Sequence, residues 1–134
     1  MISRTLPIFF ILFVSSNLFA QTTKNIDSIE TDNPCFQKQP ERFGIIKKAD
    51  LNSFVVRRIE ITGNTRLRDS FFREKFAFQP GDVFSKRLLD KSILNFNKLK
   101  QIKPITMNNV RARIDSQNQD IDLLVCVVEK PRLN

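Results

Sequence analysis

Residues 121–129, IDLLVCVVE, constrain the fold of this chain more than any other segment. Their β-branched and aliphatic side chains predict a strand, and in the second half of the segment apolar side chains fall on both faces. A strand of this kind has to lie inside a sheet or be covered on both sides. We therefore expect this segment to be the central strand of a sheet, or a strand covered on both faces.

Two further segments predict the strands that flank it. Residues 54–62, FVVRRIEIT, are β-branched and alternate at their end. Residues 105–114 alternate as well, with Val110, Ala112 and Ile114 on one face and two arginines on the other. The polar run 115–120 is typical of a hairpin loop, so it predicts that the second and third strands are neighbours in the chain.

Two helices are predicted between the first and second strands. Gly63 permits a sharp turn after the first strand, and Thr65 is placed to cap a helix over residues 65–78. Pro80-Gly81 suits the middle of a type II turn, and Ser85 is placed to cap a second helix over residues 86–100. Large apolar residues recur at helical spacing in both: Leu67, Phe71, Phe72 and Phe76 in the first, and Leu89, Ile93, Phe96 and Leu99 in the second.

The resulting element order is β-α-α-β-β. Both helices carry one apolar stripe, and the central strand needs cover. Two helices packed on one face of a three-stranded sheet satisfy both requirements. The sequence therefore predicts an α+β domain over residues 54–132.

The N-terminal part of the chain has a different character. Residues 1–20 have the layout of a secretory signal peptide, with an early arginine, a short apolar run and a small residue, Ala20, at the expected cleavage point. The apolar run of nine residues is too short for a membrane-spanning helix, which takes about 20. Residues 21–53 carry equal numbers of basic and acidic side chains and no clear period, so they are interpreted as a polar extension or linker.

The positive charge belongs to the predicted domain. From residue 54 onward there are 16 basic and 9 acidic side chains. An exported chain meets little nucleic acid, so we expect no nucleic-acid partner; the alternatives are a solvated surface or a surface for anionic lipid head groups or acidic polymers. The candidate basic surface comprises Arg57, Arg58, Lys86, Arg87, Lys91, Lys98 and Lys100.

Catalysis is the weaker expectation. The chain has no histidine, which excludes imidazole-based catalysis and histidine-ligated metals. Asp120 and Asp122 share one face of the third strand, but nothing supplies the remaining metal ligands. We expect no enzyme activity, no catalytic residue, no metal, no cofactor and no small-molecule substrate.

Four segments of the predicted domain carry recognisable motifs within the β-α-α-β-β order. They are Ile59-Glu60-Ile61-Thr62-Gly63-Asn64, Pro80-Gly81-Asp82-Val83-Phe84-Ser85, the passage Phe96, Leu99, Ile102, Ile105, and Leu124-Val125-Cys126-Val127-Val128-Glu129-Lys130-Pro131. In this order they resemble the POTRA family, the polypeptide-transport-associated modules of proteins that assemble or secrete outer-membrane proteins. The resemblance spans about residues 54–132 and implies structural roles for Gly63, Gly81 and Ser85. The sequence departs from the family at Lys100, where glycine is usual, and at Ile102, where phenylalanine is common.

The resemblance implies a function in protein binding by strand addition. In the family the second strand is the edge credited with this, and its outward arginines here fit either an acidic partner segment or protection against self-pairing. We expect a single module, stand-alone or part of a longer protein, in the periplasm at the outer membrane. Its expected partners are an outer-membrane barrel protein or unfolded envelope polypeptides, and a membrane surface is the second option. The residues implied at the edge are Ile105, Met107, Val110, Arg111 and Arg113.

The two cysteines, Cys35 and Cys126, permit a disulfide in an exported protein. If Val125 and Val127 face the helices, Cys126 faces the opposite side of the sheet, where the N-terminal extension could lie. A bridge closing this long loop would contribute roughly 4 kcal/mol in the chain-entropy model. Two free thiols, or a link to a partner protein, remain alternatives.

Overall fold

The computed structural model describes residue 35 and residues 37–133. The predicted signal peptide, residues 1–20, lies outside the described residues. The elements are the helix α1 (Arg42–Leu51), the strand β1 (Val55–Thr62), the helices α2 (Asp69–Arg73) and α3 (Lys86–Asn97), a 3-10 turn (Met107–Asn109), and the strands β2 (Val110–Asp115) and β3 (Asp120–Cys126).

The three strands form one sheet in the order β1-β3-β2. β3 pairs parallel to β1 and antiparallel to β2, so the most apolar strand is central, as expected. Crossing from β1 to a parallel neighbour requires a long connection, and α2 and α3 lie in it. The predicted α+β fold with a three-stranded sheet is confirmed.

The core lies on one face of the sheet. Apolar residues of all three strands and all three helices belong to one buried cluster, which leaves the other face of the sheet without a helix. Aromatic rings join the helices: Phe72 of α2 stacks on Phe96 of α3 at 5.9 Å between ring centres, and Phe76 meets the same ring edge-on at 5.0 Å. Such contacts add to the hydrophobic stabilisation of the core.

The interpretation of residues 21–53 as a polar extension is wrong for residues 42–51, which form α1. This helix buries Ile46 and Ala49 completely in the common core and leaves Phe43 and Leu51 exposed. Because so few apolar side chains face inward and some face water, no helical period is visible in the sequence. Packing against β2 and α3, rather than amphipathic pattern, stabilises this helix.

The first predicted helix is shorter than expected. α2 begins at Asp69 and ends at Arg73, with Arg68 rather than Thr65 at the N-cap position. The Thr65 hydroxyl instead donates to the Glu129 carboxylate at 3.2 Å. The apolar stripe of residues 65–78 still faces the core, because irregular chain before and after α2 packs there too.

The second predicted helix ends at Asn97 instead of residue 100. Ser85 stands at the N-cap position, but its side chain makes no capping hydrogen bond. Asp50, from the last turn of α1, accepts from the Lys86 N–H at 3.0 Å. The free N–H groups of a helix start attract a carboxylate, and here a distant residue supplies it.

The second and third strands are also shorter than predicted. β2 begins at Val110, so Ile105 and Met107 precede it: Ile105 is buried, and the Asn97 side chain both donates to its C=O at 2.9 Å and accepts from its N–H at 2.8 Å. β3 ends at Cys126, and Glu129 forms an isolated bridge with Ile102. Within residues 35 and 37–133, no helix has the length and apolar character needed to cross a membrane.

Candidate binding site at the β2 edge of the sheet

The sheet has two edges, and the first half of the β1 edge is closed by backbone hydrogen bonds. The Val56 N–H donates to the Asp82 C=O at 2.9 Å, and the Val56 C=O accepts from the Gly81 N–H at 2.7 Å. Gly81 has a φ of 96°, and the Asp82 N–H donates to the Gln79 C=O at 3.1 Å. The glycine thus permits the tight turn that brings residues 81–84 alongside β1.

The second half of β1 has an open edge. The Thr62 C=O accepts from the Val127 N–H at 2.9 Å, so Thr62 faces β3, and alternation directs the backbone groups of Ile59 and Ile61 away from β3. Neither residue has a hydrogen-bond partner on that side among the described residues. The Ile59 side chain is buried in the core, so only its backbone is available there.

The β2 edge is closed by side chains instead. The Gln39 side-chain amide donates to the Ala112 C=O at 2.6 Å, and its oxygen accepts from the Ala112 N–H at 3.1 Å. Arg42 donates to the Val110 C=O at 3.3 Å. These groups point away from β3, so they are the ones that an added strand would use. Ile114, the next outward position, has no such partner among the described residues.

Arg42 is placed by α1 and is only 7% exposed. Its guanidinium also donates to the Asn108 side-chain oxygen at 2.8 Å, while its Nε has no hydrogen-bond partner within the described part of the chain. Burial and the like charge of Arg111 lower the pKa of Arg42, but arginine remains charged at neutral pH. A buried guanidinium therefore holds the start of β2 against α1.

A disulfide anchors the segment that carries Gln39. Cys35 and Cys126 are joined with an S–S distance of 2.04 Å across 91 residues. Arg111 also donates to the Cys35 C=O at 2.9 Å. We call residues 35 and 37–41 the strap: it is fixed by the disulfide at one end and by α1 at the other, and it runs along the β2 edge.

The strap and the helix-free face of the sheet border a groove of about 520 Å³. Its floor carries ion pairs: Arg113 lies 3.2 Å from the Asp122 carboxylate, and Arg58 lies 3.0 Å from Glu60. Arg57, beside the groove, also binds this carboxylate, with its Nε 2.9 Å from Asp122 Oδ1. The hydrogen bond from Arg57 lowers the pKa of Asp122 despite the opposing effect of burial. The groove is polar and charged, with arginines from β1 and β2 brought together.

The structure divides the predicted basic surface into two parts. Arg57 and Arg58 lie on the sheet, near Arg111 and Arg113 of the predicted edge. The other five residues lie on α3 or just after it: Lys86, Arg87, Lys91, Lys98 and Lys100. Lys86 pairs with Asp90 at 2.6 Å. Arg87, Lys91 and Lys98 are exposed and helically spaced with Leu94, which is 63% exposed.

Glu129, three residues after the end of β3, holds this part of the chain against the loop that follows β1. It is nearly buried, and its carboxylate accepts from the backbone N–H groups of Arg66 and Leu67 at 3.0 and 2.8 Å. Arg66 Nε lies 3.0 Å from the same carboxylate. These hydrogen bonds, the one from Leu67 above all, lower the pKa of Glu129 to about 2. This is a structural contact, away from the groove.

The described residues contain no group of three or more His, Cys, Asp or Glu side chains that could hold a metal ion. Asp122, one of the two aspartates considered as a metal ligand, is bonded to two arginines. Gly63 has a φ of 89°, and a Cβ there would lie 1.9 Å from the Val127 C=O oxygen, so its role is a close backbone approach.

Sequence reasoning missed Gln39 and Arg42, which make the main contacts to the β2 edge. Both lie in a polar stretch without period, and their partners are more than 60 residues away. Glu129 lies within a quoted family motif, but nothing in the sequence assigned it a partner. Of the implied edge residues, Val110 and Ile105 are buried and Met107 lies in the 3-10 turn before β2, whereas Arg111 and Arg113 line the groove.

The fold and this site define a small α+β module with one strand edge covered by its own N-terminal segment. The POTRA family model, described as surface antigen variable number repeat, matches residues 54–130, more than half of the chain. The chain belongs to the POTRA family. The strap and α1 precede the matched range.

Two other comparisons complete this picture. The solved structure of POTRA1-3 of the periplasmic domain of Omp85 from Anabaena matches with a TM-score of 0.48 and 15% identity, over 58% of this chain. The chain spans 35% of the length of that structure. No curated protein matches the chain.

Proposed function

We propose that this chain is an exported polypeptide-binding module that acts in outer-membrane protein assembly or secretion. It works in the periplasm, where it takes an extended segment of an unfolded envelope protein or a barrel protein at the β2 edge. It acts by binding alone, without an enzymatic step or a cofactor. The observation that carries the proposal is that the outward C=O of Val110 and both outward backbone groups of Ala112 are bonded to side chains and not to a strand.

Strand addition at this edge has a clear physical basis. A partner segment would exchange the bonds of Gln39 at Ala112 for backbone bonds and would gain new ones at Ile114. Arg113 is largely exposed and lies beside this edge, so it favours an acidic segment. Charged side chains at an edge also discourage pairing between copies of the same chain.

Binding of an unfolded barrel protein tests the proposal. An eight-stranded outer-membrane barrel protein, diluted from urea, is titrated onto the immobilised chain lacking residues 1–20. We expect binding that persists between 50 and 500 mM NaCl, because backbone hydrogen bonds are weakly screened. Arg113→Glu should weaken it several-fold at low salt by repelling acidic segments. Absence of binding in the oxidised and the reduced protein would contradict the proposal.

The matched control is Lys91→Glu, which makes the same change of charge on the exposed face of α3. It should leave binding of the barrel protein unchanged. The second candidate function, binding of anionic lipid head groups or acidic polymers, is favoured by the exposed basic side chains around Leu94. For that function Lys91→Glu would weaken binding to anionic vesicles, and binding would collapse as salt rises.

A further inference from the structure

The strap occupies the β2 edge in the manner of a short strand. The Gln39 side chain presents one donor and one acceptor to the C=O and N–H of Ala112, which is the pair of groups that one residue of an added strand presents. An edge covered in this way can pair with another chain at Ala112 only after the Gln39 side chain has been displaced. The resting structure therefore blocks the docking position that the proposed function requires.

Before α1 begins, the strap is held by side-chain hydrogen bonds and by one covalent bond. Among the contacts described above these are the two bonds of Gln39, the bond from Arg111 to the Cys35 C=O, and the disulfide to Cys126. Lys38 and Gln37 are exposed. Since a side chain–backbone hydrogen bond adds only about 1 kcal/mol net, the disulfide is the strongest of these contacts.

We propose that the strap is a built-in occupant of the β2 edge, and that reduction of the Cys35–Cys126 disulfide releases it and opens the edge to a partner strand. This inference rests on the proposed function for the identity of the partner. It concerns a segment outside the residues that match the family. The opening is local, because α1 keeps its own buried residues, Ile46 and Ala49, in the core.

The redox step is an exchange with a dithiol. One thiolate of the dithiol attacks the half-buried Cys35 sulfur, the Cys35–Cys126 bond breaks, and a mixed disulfide forms while Cys126 leaves as a thiolate and takes up a proton. The second thiolate then displaces Cys35, which also takes up a proton. The dithiol has become a disulfide, and two electrons and two protons have passed to the chain.

Release should free Ala112 but not Val110. Arg42 belongs to α1 and stays bonded to the Val110 C=O when the disulfide is broken. The opened edge therefore consists of both backbone groups of Ala112 and those of Ile114. A partner strand can therefore form only a few backbone hydrogen bonds at this edge. This number suits transient binding of an unfolded chain.

Amide hydrogen exchange on the partner-free protein tests the release. Reduction with dithiothreitol should accelerate exchange of the Ala112 N–H at least about tenfold, and so should Cys35→Ser with Cys126→Ser. The Leu123 N–H in the central strand should remain slow, which shows that the fold is intact. Lys38→Ala, next to Gln39 and exposed, is the control that should change neither amide.

Gln39→Ala keeps the disulfide and gives a second test. In this variant the disulfide still holds the strap, but the side-chain amide of Gln39 is gone, so the Ala112 N–H should also exchange faster. The proposal can therefore fail even if the reduced protein does not fold. An Ala112 N–H that exchanges equally slowly in Gln39→Ala and in wild type would overturn the claim that Gln39 covers the edge. Equal exchange of Ala112 in the folded oxidised and reduced proteins would overturn the gating by the disulfide.

Binding of the unfolded eight-stranded barrel protein separates this inference from the proposed function. Reduction and Gln39→Ala should each raise the affinity of the barrel protein for the chain several-fold. The reason is that the state in which Ala112 is uncovered becomes more populated. If Ala112 is released but no binding appears, the proposed function fails while the release of the strap stands. If the barrel protein binds equally well to both redox forms, the disulfide does not control docking.

Discussion

Each edge of the sheet is covered over part of its length, but by different parts of the chain. Residues 81–84 cover the first half of β1 with backbone hydrogen bonds, whereas Gln39 and Arg42 cover β2 with side chains. The segment along β1 is flanked by the buried side chains of Phe78 and Phe84. The strap along β2 leaves Gln37 and Lys38 exposed to water.

This difference separates a permanent closure from one that can be removed. Opening the β1 edge at Val56 would pull Phe84 out of the core, which costs several kcal/mol. Among the described residues, opening the β2 edge at Ala112 breaks the two hydrogen bonds of Gln39 and displaces no buried apolar side chain. An edge that binds a partner should be covered by contacts that open at low cost, as at β2. Variants of both coverings test this difference.

The largest effect is expected for removal of the disulfide. Cys35→Ser with Cys126→Ser opens a loop of about 90 residues, so the free energy of unfolding should fall by about 4 kcal/mol. Urea unfolding of the variant and of the oxidised wild type measures this. Reduced wild type should match the variant, and an unchanged urea midpoint would show that the disulfide does not restrain the unfolded chain.

Two glycines with positive φ form a matched pair. Gly63→Ala places a Cβ 1.9 Å from the Val127 C=O oxygen, which is backbone and cannot move freely, so we expect a loss of about 3 kcal/mol or more. Gly81→Ala meets open space and carries only the conformational cost of about 1–2 kcal/mol. Thermal unfolding of both variants compares them, and equal losses would contradict the close approach at Gly63.

Acid should weaken the contact of Glu129. Its pKa in the folded state is about 2 against an ordinary value of 4.5, so its stabilising effect is complete above pH 4.5 and is lost as the pH falls toward 2. Glu129→Gln should be less stable at neutral pH and should lose less stability between pH 4.5 and 2. Urea unfolding at several pH values measures this, and parallel curves for variant and wild type would exclude the contact.

The smallest effect is expected at Gln39. Gln39→Ala removes two hydrogen bonds at a partly exposed position, so the free energy of unfolding should fall by only about 1–2 kcal/mol. Lys38→Ala should leave it unchanged within a few tenths. A loss at Gln39 as large as that of the disulfide would mean that the strap belongs to the core, and the distinction between the two edges would fail.

The sequence predicted the sheet better than the parts that cover it. The apolar pattern of β3 and the alternation of Val110 and Ala112 depend on local period, and both were correct. The start of α2 was wrong because Thr65 has the residue type of a cap but bonds to Glu129 instead. A tertiary contact overrode the local preference.

The candidate site could be predicted only in part. Alternation placed Arg111 and Arg113 on the helix-free face, and the position of Cys126 on that face raised the bridge to Cys35 as one alternative. The roles of Gln39 and Arg42 were out of reach, since long-range hydrogen bonds to the Ala112 and Val110 backbone leave no pattern in the sequence. The same holds for Asp50, which caps α3 from the end of α1.

Amide exchange within the complex tests the central claim most directly, because it reports both edges at once. The reduced chain is bound to the unfolded eight-stranded barrel protein, and the N–H groups of Ala112 and Ile114 on β2 are compared with those of Ile59 and Ile61 on β1. We predict that binding protects Ala112 and Ile114 and leaves Ile59 and Ile61 unchanged. Protection of Ile59 and Ile61 alone, or of neither pair, would contradict docking at the β2 edge.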